Sequence, residues 1–148
     1  MYYLADLLAV LQTIPWFVDL NPKQLERLAS MASFCYLKPG EVIFNEGERI
    51  DFLYLVLEGQ VSVENFIPSR GWTRIFTAEP LDIIGWSSMT PVIRQRTATA
   101  RSIGHSKLIA FNSDTLHKAC EEDHDLGYLI LKRISNVVAS RLLITRLK

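Results

Sequence analysis

A succession of short apolar segments, separated by turn residues between positions 37 and 111, is the feature that most constrains how this 148-residue chain folds. The turns are indicated at Pro39-Gly40, Gly47, Glu58-Gly59 and Pro68–Gly71. The segments with strand composition are Val42–Phe44, Phe52–Leu57, Val61–Phe66, Trp72–Thr77, Thr97–Ser102 and Leu108–Phe111. Short strands with glycine turns between them favour a sandwich or barrel over a parallel sheet. We therefore predict a β-roll over about residues 34–111.

Helical periodicity precedes this region. Leucines recur at helical spacing from residue 4 to residue 11, and Pro15 ends that run. Asn21 followed by Pro22 predicts a helix start, because asparagine is a good N-cap and proline is tolerated at the first helical position. The apolar stripe of this second helix continues to Met31, so helices are predicted over about residues 4–31.

The helical period returns after the last strand, and helices are predicted over about residues 113–147. Asn112 or Ser113 is expected to cap the first of them, and the segment Leu126–Lys148 is the longest predicted helix. This helix carries an apolar seam with coiled-coil spacing, formed by Ile130, Ile134, Val137, Arg141 and Ile144. A second apolar line beside it consists of Leu131, Val138 and Leu142. Two lines allow one helix to pack on its own chain and on a partner, so we predict a homodimer through the seam.

Composition excludes several classes of protein. Sixteen basic and sixteen acidic residues give a net charge of zero, which offers no support for a nucleic-acid surface or a polybasic membrane patch. Cys35 and Cys120 are too few for a disulfide scaffold. The segment Met1–Asp6 lacks the charged region of a signal peptide, and no apolar run approaches the roughly 20 residues of a membrane span. A single cytoplasmic domain spanning residues 1–148 is expected.

Catalytic and metal-binding patterns are not found in the sequence. His105, His117 and His124 do not have the spacing of metal ligands, and no serine lies in a nucleophile elbow. The acidic segment Asp123–Asp125 is interpreted as a solvated loop between helices. We therefore predict a protein that is not an enzyme and has no metal or other cofactor.

Two stretches of the predicted roll resemble the cyclic-nucleotide-binding domain, the family of the catabolite activator protein and of the protein kinase A regulatory subunits. The stretch Leu37–Glu48 is similar to the first hairpin of that family, and Asp51–Val61 is similar to its next pair of strands. The resemblance extends from about Leu7 to Leu147. It implies an antiparallel, jelly-roll-like β-roll with N-terminal helices and a long C-terminal helix, in a Crp/Fnr-like sensor domain.

The resemblance also implies a phosphate-binding cassette at residues 84–99. The matching residues are Gly85, Trp86, Ser87, Ser88, Arg96 and Thr97, and Thr145 of the last helix matches a position that touches the purine in some relatives. A short helix that opens at Gly85 is expected to direct backbone N–H groups at an anion. The guanidinium of Arg96 is suited to bind two phosphate oxygens, with the Thr97 hydroxyl beside it. The implied ligand is cyclic AMP, cyclic GMP or another small anion.

Trp86 departs from the family pattern. Nucleotide-binding relatives usually have a glutamate at this position, and its carboxylate accepts a hydrogen bond from the ribose 2′-hydroxyl. Loss of such a bond reduces the free energy of binding by on the order of 1.5–3 kcal/mol, which lowers the affinity roughly ten- to a hundredfold. Arg94, in the adjacent stretch Pro91–Gln95, is a second candidate cation for a more highly charged ligand.

Two functional hypotheses follow. In the first, the protein is a ligand-responsive regulatory module in which anion binding at the cassette shifts the C-terminal helix and signals to a dimer mate or a protein effector. In the second, Trp86 blocks the pocket and the protein is a constitutive dimerisation or docking module. The sequence ends at Lys148 without a recognisable helix-turn-helix, so DNA binding by this chain is not expected.

Overall fold

The structure is a computed structural model that describes residues 2–48, 51–89 and 98–147. These residues belong to two compact units. The first unit is mainly helical and comprises Met1–Ser33 and Phe111–Lys148, whereas the second is built from strands and comprises Phe34–Ala110.

Among the described residues, four α-helices and a short 3-10 turn form the helical unit. They are α1 (Tyr2–Gln12), the 3-10 turn Pro15–Phe17, α2 (Pro22–Ser30), α3 (Ser113–Glu122) and α4 (His124–Leu147). Helix α1 packs against α2, and α3 packs against α4. Buried residues on these helices include Leu7, Leu11, Leu28, Leu116, Leu126, Ile130 and Ile134. The helices predicted before and after the roll are therefore present.

Side-chain caps fix where two helices begin. The Asn21 side chain accepts a hydrogen bond from the backbone N–H of Gln24 at 2.9 Å, and the Gln24 side chain accepts one from the backbone N–H of Asn21 at 2.9 Å. This reciprocal pair is a capping box, which satisfies two N–H groups at the helix end. At α3 the cap is Asn112, whose side chain accepts from the Thr115 N–H at 3.0 Å. Both predicted starts are confirmed.

The connection between α3 and α4 is shorter than the sequence indicated. Only Asp123 separates the two helices, and α4 already begins at His124, so the predicted loop over Asp123–Asp125 is wrong. The Asp123 carboxylate accepts hydrogen bonds from the Gln24 side chain at 3.0 Å and from the Leu126 N–H at 3.2 Å. The bond from Gln24, followed by the bond from Leu126, lowers the pKa of Asp123. The carboxylate is therefore a helix cap and ties α2 to this junction.

Gly127 allows α3 and α4 to approach each other. A Cβ atom at this position would lie 2.7 Å from the Cys120 carbonyl oxygen and 3.2 Å from the Cys120 Cβ. We expect Gly127→Ala to lower the free energy of unfolding by about 1–2 kcal/mol, because the clash outweighs the higher helix propensity of alanine. Urea denaturation measures this change. Gly104→Ala, where an added Cβ meets nothing within 4 Å, is the control and is expected to change stability by less than ~0.5 kcal/mol.

Eight strands are found among the described residues. They are β1 (Ala32–Leu37), β2 (Val42–Phe44), β3 (Phe52–Glu58), β4 (Val61–Ile67), β5 (Gly71–Ala78), β6 (Ile83–Ile84), β7 (Thr99–Ser102) and β8 (Ser106–Asn112). They form two four-stranded sheets, in the orders β1-β8-β3-β6 and β2-β7-β4-β5. The pairs β2–β7, β3–β6, β4–β5 and β4–β7 are antiparallel. The predicted antiparallel roll is confirmed.

The core of the roll contains residues from both sheets. Its buried members are Leu37, Phe44, Val56, Val61, Val63, Ala78, Ile84, Ala98, Ala100 and Leu108. The ring of Tyr54 stacks on that of Phe44, with centroids 6.0 Å apart and planes 25° from parallel. Burial of a large apolar side chain contributes roughly 1.5–3 kcal/mol to the free energy of unfolding. The loops of the roll therefore extend from a well-packed core.

The two apolar lines of α4 have different environments. Ile130 and Ile134, on the seam predicted to bind a partner, are only 3% and 4% exposed within the chain itself. Leu131 and Leu142, on the second line, are 49% and 60% exposed. The first half of the predicted seam therefore already contributes to the fold of its own chain.

Candidate functional site

The segment that begins the predicted cassette is held by strand β3. Tyr54 pairs with Ile84 and Leu55 pairs with Ile83 in antiparallel register. Just before β6, two further backbone bonds join Val56 to the same segment, one from the Leu81 N–H at 2.7 Å and one to the Asp82 carbonyl at 3.0 Å. The predicted cassette therefore starts from a strand that is fixed on the core of the roll.

Gly85 turns the chain out of β6 into a 3-10 turn at Trp86–Met89. Its φ angle of +77° lies in the left-handed region that favours glycine. The Ser88 N–H donates to the Gly85 carbonyl at 3.1 Å, so this N–H is used within the turn. The predicted short helix is thus a turn of four residues.

The side chains of this turn are mostly buried. Ser87, Ser88 and Met89 are 2%, 7% and 2% exposed, and Trp86 is half-buried. The Ser88 Oγ is buried without a hydrogen-bond partner among the residues that the structure describes. A buried hydroxyl without a partner lowers the stability of the fold by roughly 1–3 kcal/mol. A hydrogen bond from a ligand to Ser88 would remove this cost. Residue types alone do not predict this burial.

The remaining predicted ligands lie outside the described part of the chain. Arg96, Thr97 and the second candidate cation Arg94 belong to the stretch 90–97. Thr145 lies within α4, but its side chain is also outside the description. The structure thus brings Gly85, Trp86, Ser87 and Ser88 together in one turn and leaves the other predicted roles untested.

Charged groups of the second sheet form a network that sequence patterns did not reveal. Ser62, only 1% exposed, donates its hydroxyl to Glu64 at 2.8 Å and accepts from the Arg74 Nε at 2.8 Å. The Arg101 Nε lies 3.7 Å from the same Glu64 carboxylate, and another Arg101 nitrogen donates to the Gly40 carbonyl at 3.2 Å. The arginines of this sheet are therefore engaged in holding strands β4, β5 and β7 together.

Both cysteine side chains are half-buried. Burial raises the pKa of the Cys120 thiol to about 11 and also raises that of Cys35, so neither thiol ionises readily near neutral pH. Within residues 2–48, 51–89 and 98–147, no three histidine, cysteine, aspartate or glutamate side chains are grouped closely enough to hold a metal ion. In the same ranges no helix combines the length and apolar character needed to cross a membrane.

Solved structures with the same fold come from several groups of organisms. A putative cyclic nucleotide-binding protein from Geobacter metallireducens is 27% identical, with a TM-score of 0.77, and the match covers 90% of this chain and 96% of that one. The sensor domain of the transcriptional regulator DNR from Pseudomonas aeruginosa is 20% identical, with a TM-score of 0.78 and coverages of 96% and 95%. The regulatory subunit of a cAMP-independent protein kinase A from Trypanosoma cruzi, bound to guanosine, is 21% identical, with a TM-score of 0.74 and coverages of 91% and 47%.

The comparison with protein families identifies the chain, whereas a search of curated protein sequences gives no match. The family described as the cyclic nucleotide-binding domain matches residues 34–123, which is more than half of the chain and includes the whole of the predicted cassette. The matched range also contains all of strands β2–β8 and the turn at Gly85. The resemblance inferred from the sequence is confirmed: this chain belongs to the cyclic nucleotide-binding domain family.

Proposed function

We propose that this protein is a non-catalytic regulatory module that binds cyclic AMP, cyclic GMP or another small anionic ligand at residues 84–99. The observation that carries this proposal is the family match over residues 34–123. Ligand binding at the cassette shifts the position of α4, and α4 passes the signal to a second copy of the chain or to a protein effector. Such a shift requires the ligand to bind one position of the helix more tightly than the other.

The chemistry of the cassette supports an anionic ligand. Arg96 supplies a planar, permanently charged donor that suits phosphate oxygens. The 3-10 turn contributes two buried hydroxyls, and that of Ser88 is unpaired among the described residues. No carboxylate occurs between Ile84 and Thr99, so the stretch carries donors and cations without acidic side chains to repel a phosphate.

Thermal denaturation with a panel of ligands tests the proposal. A ligand at a hundred times its dissociation constant adds about 2.7 kcal/mol to the free energy of unfolding, which raises the Tm of a domain of this size by roughly 5–10 °C. The panel contains cyclic AMP, cyclic GMP and phosphorylated metabolites. Guanosine is included because the Trypanosoma cruzi subunit was solved with that nucleoside. A shift with a phosphate-containing compound and none with guanosine is the expected result.

Trp86 determines how tightly a cyclic nucleotide binds. We expect Trp86→Glu to increase the affinity for cyclic AMP or cyclic GMP about ten- to a hundredfold, because the new carboxylate accepts a hydrogen bond from the ribose 2′-hydroxyl. Calorimetry measures the change, and Trp86→Leu is the control that removes the indole without adding an acceptor. Equal affinities of the two variants would contradict this role for the position.

A second candidate function is a constitutive dimerisation or docking module that binds no nucleotide. The half-buried indole of Trp86 and the use of the Ser88 N–H inside its own turn favour it, because both reduce what the cassette offers a ligand. An unchanged Tm across the whole panel, combined with a stable dimer, would support this alternative. In either case we propose that the chain forms a homodimer through α4.

A further inference from the structure

The turn that leads into β6 holds a leucine in a backbone conformation that leucine disfavours. Among the residues that the structure describes, Leu81 is the only one other than glycine with a positive φ angle, at +78°. This left-handed conformation disfavours an L-residue by a factor of roughly 5–30. Leucine also lacks the polar side-chain atom with which asparagine or aspartate forms a local hydrogen bond there. A contact outside the leucine side chain must therefore hold the turn in this form.

The proline and the hydrogen bonds define the turn as type II. The Asp82 N–H donates to the Glu79 carbonyl at 2.9 Å, which closes a four-residue turn with Pro80 and Leu81 at its centre. The ring of Pro80 fixes its φ at about −65°, so turns that need a positive φ at the first central position are excluded. A type II turn has the positive φ at the second central position, where glycine is usual. Leu81 occupies that position.

One hydrogen bond to strand β3 holds the turn in this form. The Leu81 N–H donates to the Val56 carbonyl at 2.7 Å, and Val56 is 0% exposed. Such a bond favours the state that contains it by a factor of roughly 2–10, and its loss also leaves a buried carbonyl without a partner. The hydrogen bond and the backbone strain therefore oppose each other with effects of similar size.

We propose that the peptide between Pro80 and Leu81 is a two-state switch at the start of the predicted cassette. Rotation of this peptide by about 180° converts a type II turn into a type I turn, in which the second central residue has a φ of about −90°. The bond from Asp82 to Glu79 is kept, whereas the Leu81 N–H turns away from Val56. Pro80 and Leu81 are both exposed, so solvent is available to the rotated peptide.

The rotation changes how β6 is held on β3. In the observed state, which we call the tied state, Leu81 and Asp82 both bond to Val56, directly before the pairs that Ile83 and Ile84 form with β3. The rotated state lacks one of these bonds, so the start of the predicted cassette is less well ordered. The tied state binds the ligand more tightly, because an ordered site loses less conformational entropy on binding. This consequence rests on the proposed function, whereas the rotation itself does not.

Hydrogen exchange of two adjacent amides tests the rotation without a ligand. Leu81→Gly removes the cost of a positive φ, whereas Leu81→Val increases it because a β-branched residue disfavours that conformation more. Relative to the wild type, we expect protection of the amide at position 81 to rise about tenfold in Leu81→Gly and to fall about threefold in Leu81→Val. Leu81→Asn, which tolerates a positive φ without the flexibility of glycine, is expected to behave as Leu81→Gly.

The Asp82 amide is the internal control. Its bond to Glu79 is present in both turn types, so its protection is expected to change less than twofold in every variant. Equal changes at positions 81 and 82 would show that the whole segment opens together and would overturn the rotation. Unchanged protection at position 81 in all three variants would also overturn it.

Exchange in the presence of cyclic AMP tests the link between the rotation and the ligand. Saturating cyclic AMP is expected to raise the ratio of protection at position 81 to that at position 82 about tenfold, because the ligand favours the tied state. An unchanged ratio in the bound protein would overturn the link. Absence of cyclic AMP binding would contradict the proposed function for this nucleotide, and the exchange of the variants without ligand would still decide the rotation.

Discussion

Replacement of Gly59 by alanine is expected to lower the free energy of unfolding by roughly 3 kcal/mol. Gly59 joins β3 to β4 with a φ angle of +86°, which costs an L-residue roughly 1–2 kcal/mol. In addition, a Cβ at this position would lie 2.4 Å from the His105 carbonyl oxygen and 2.6 Å from the Ser106 hydroxyl. Such overpacking against backbone adds about 1–3 kcal/mol.

Gly40→Ala is the matched control for this experiment. Gly40 has a similar φ angle of +79°, but a Cβ there would meet nothing within 4 Å. Gly40→Ala is therefore expected to lower the free energy of unfolding by roughly 1 kcal/mol, which is the contribution of backbone strain alone. Urea denaturation of both variants yields the difference. Equal losses of stability would show that the close approach of the β7–β8 turn to Gly59 is unimportant.

Replacement of Arg96 by alanine has the largest effect that we expect on ligand binding. A hydrogen-bonded contact between arginine and phosphate contributes about 1.5–3 kcal/mol, so the affinity for an anionic ligand should fall roughly ten- to a hundredfold. Arg70→Ala is the control, since Arg70 is an exposed arginine in the turn before β5. Calorimetric titration of both variants provides the comparison. Undiminished affinity in Arg96→Ala would place the anion site elsewhere.

Turns and helix caps were predictable because their determinants are local. Pro39-Gly40 and Glu58-Gly59 are turns whose glycines have positive φ angles, and Asn21 caps α2 through its own neighbours. By contrast, the two-residue strand β6 was missed because it exists only through its pairing with β3, nearly thirty residues away along the chain. Pairing partners that are distant in sequence leave no local signal.

The candidate site residues were predicted from the family resemblance, and local sequence patterns added little to that prediction. The resemblance implied a short helix opening at Gly85, where the structure has a four-residue 3-10 turn. Residue types alone did not reveal that Ser88 is buried or that its N–H is used within the turn. On α4, the two apolar lines have equivalent periodicity. The sequence therefore could not distinguish the side of Ile130, which is buried, from the side of Leu131, which is exposed.

Calorimetric titration of cyclic AMP and cyclic GMP into the wild-type protein tests for a cyclic-nucleotide site at residues 84–99. We expect saturable binding of at least one of them, at one site per chain, with the affinity reduced in Arg96→Ala and unchanged in Arg70→Ala. Absence of saturable binding by either nucleotide would contradict a cyclic-nucleotide site at residues 84–99. That result would favour a fold that is retained for dimerisation or docking.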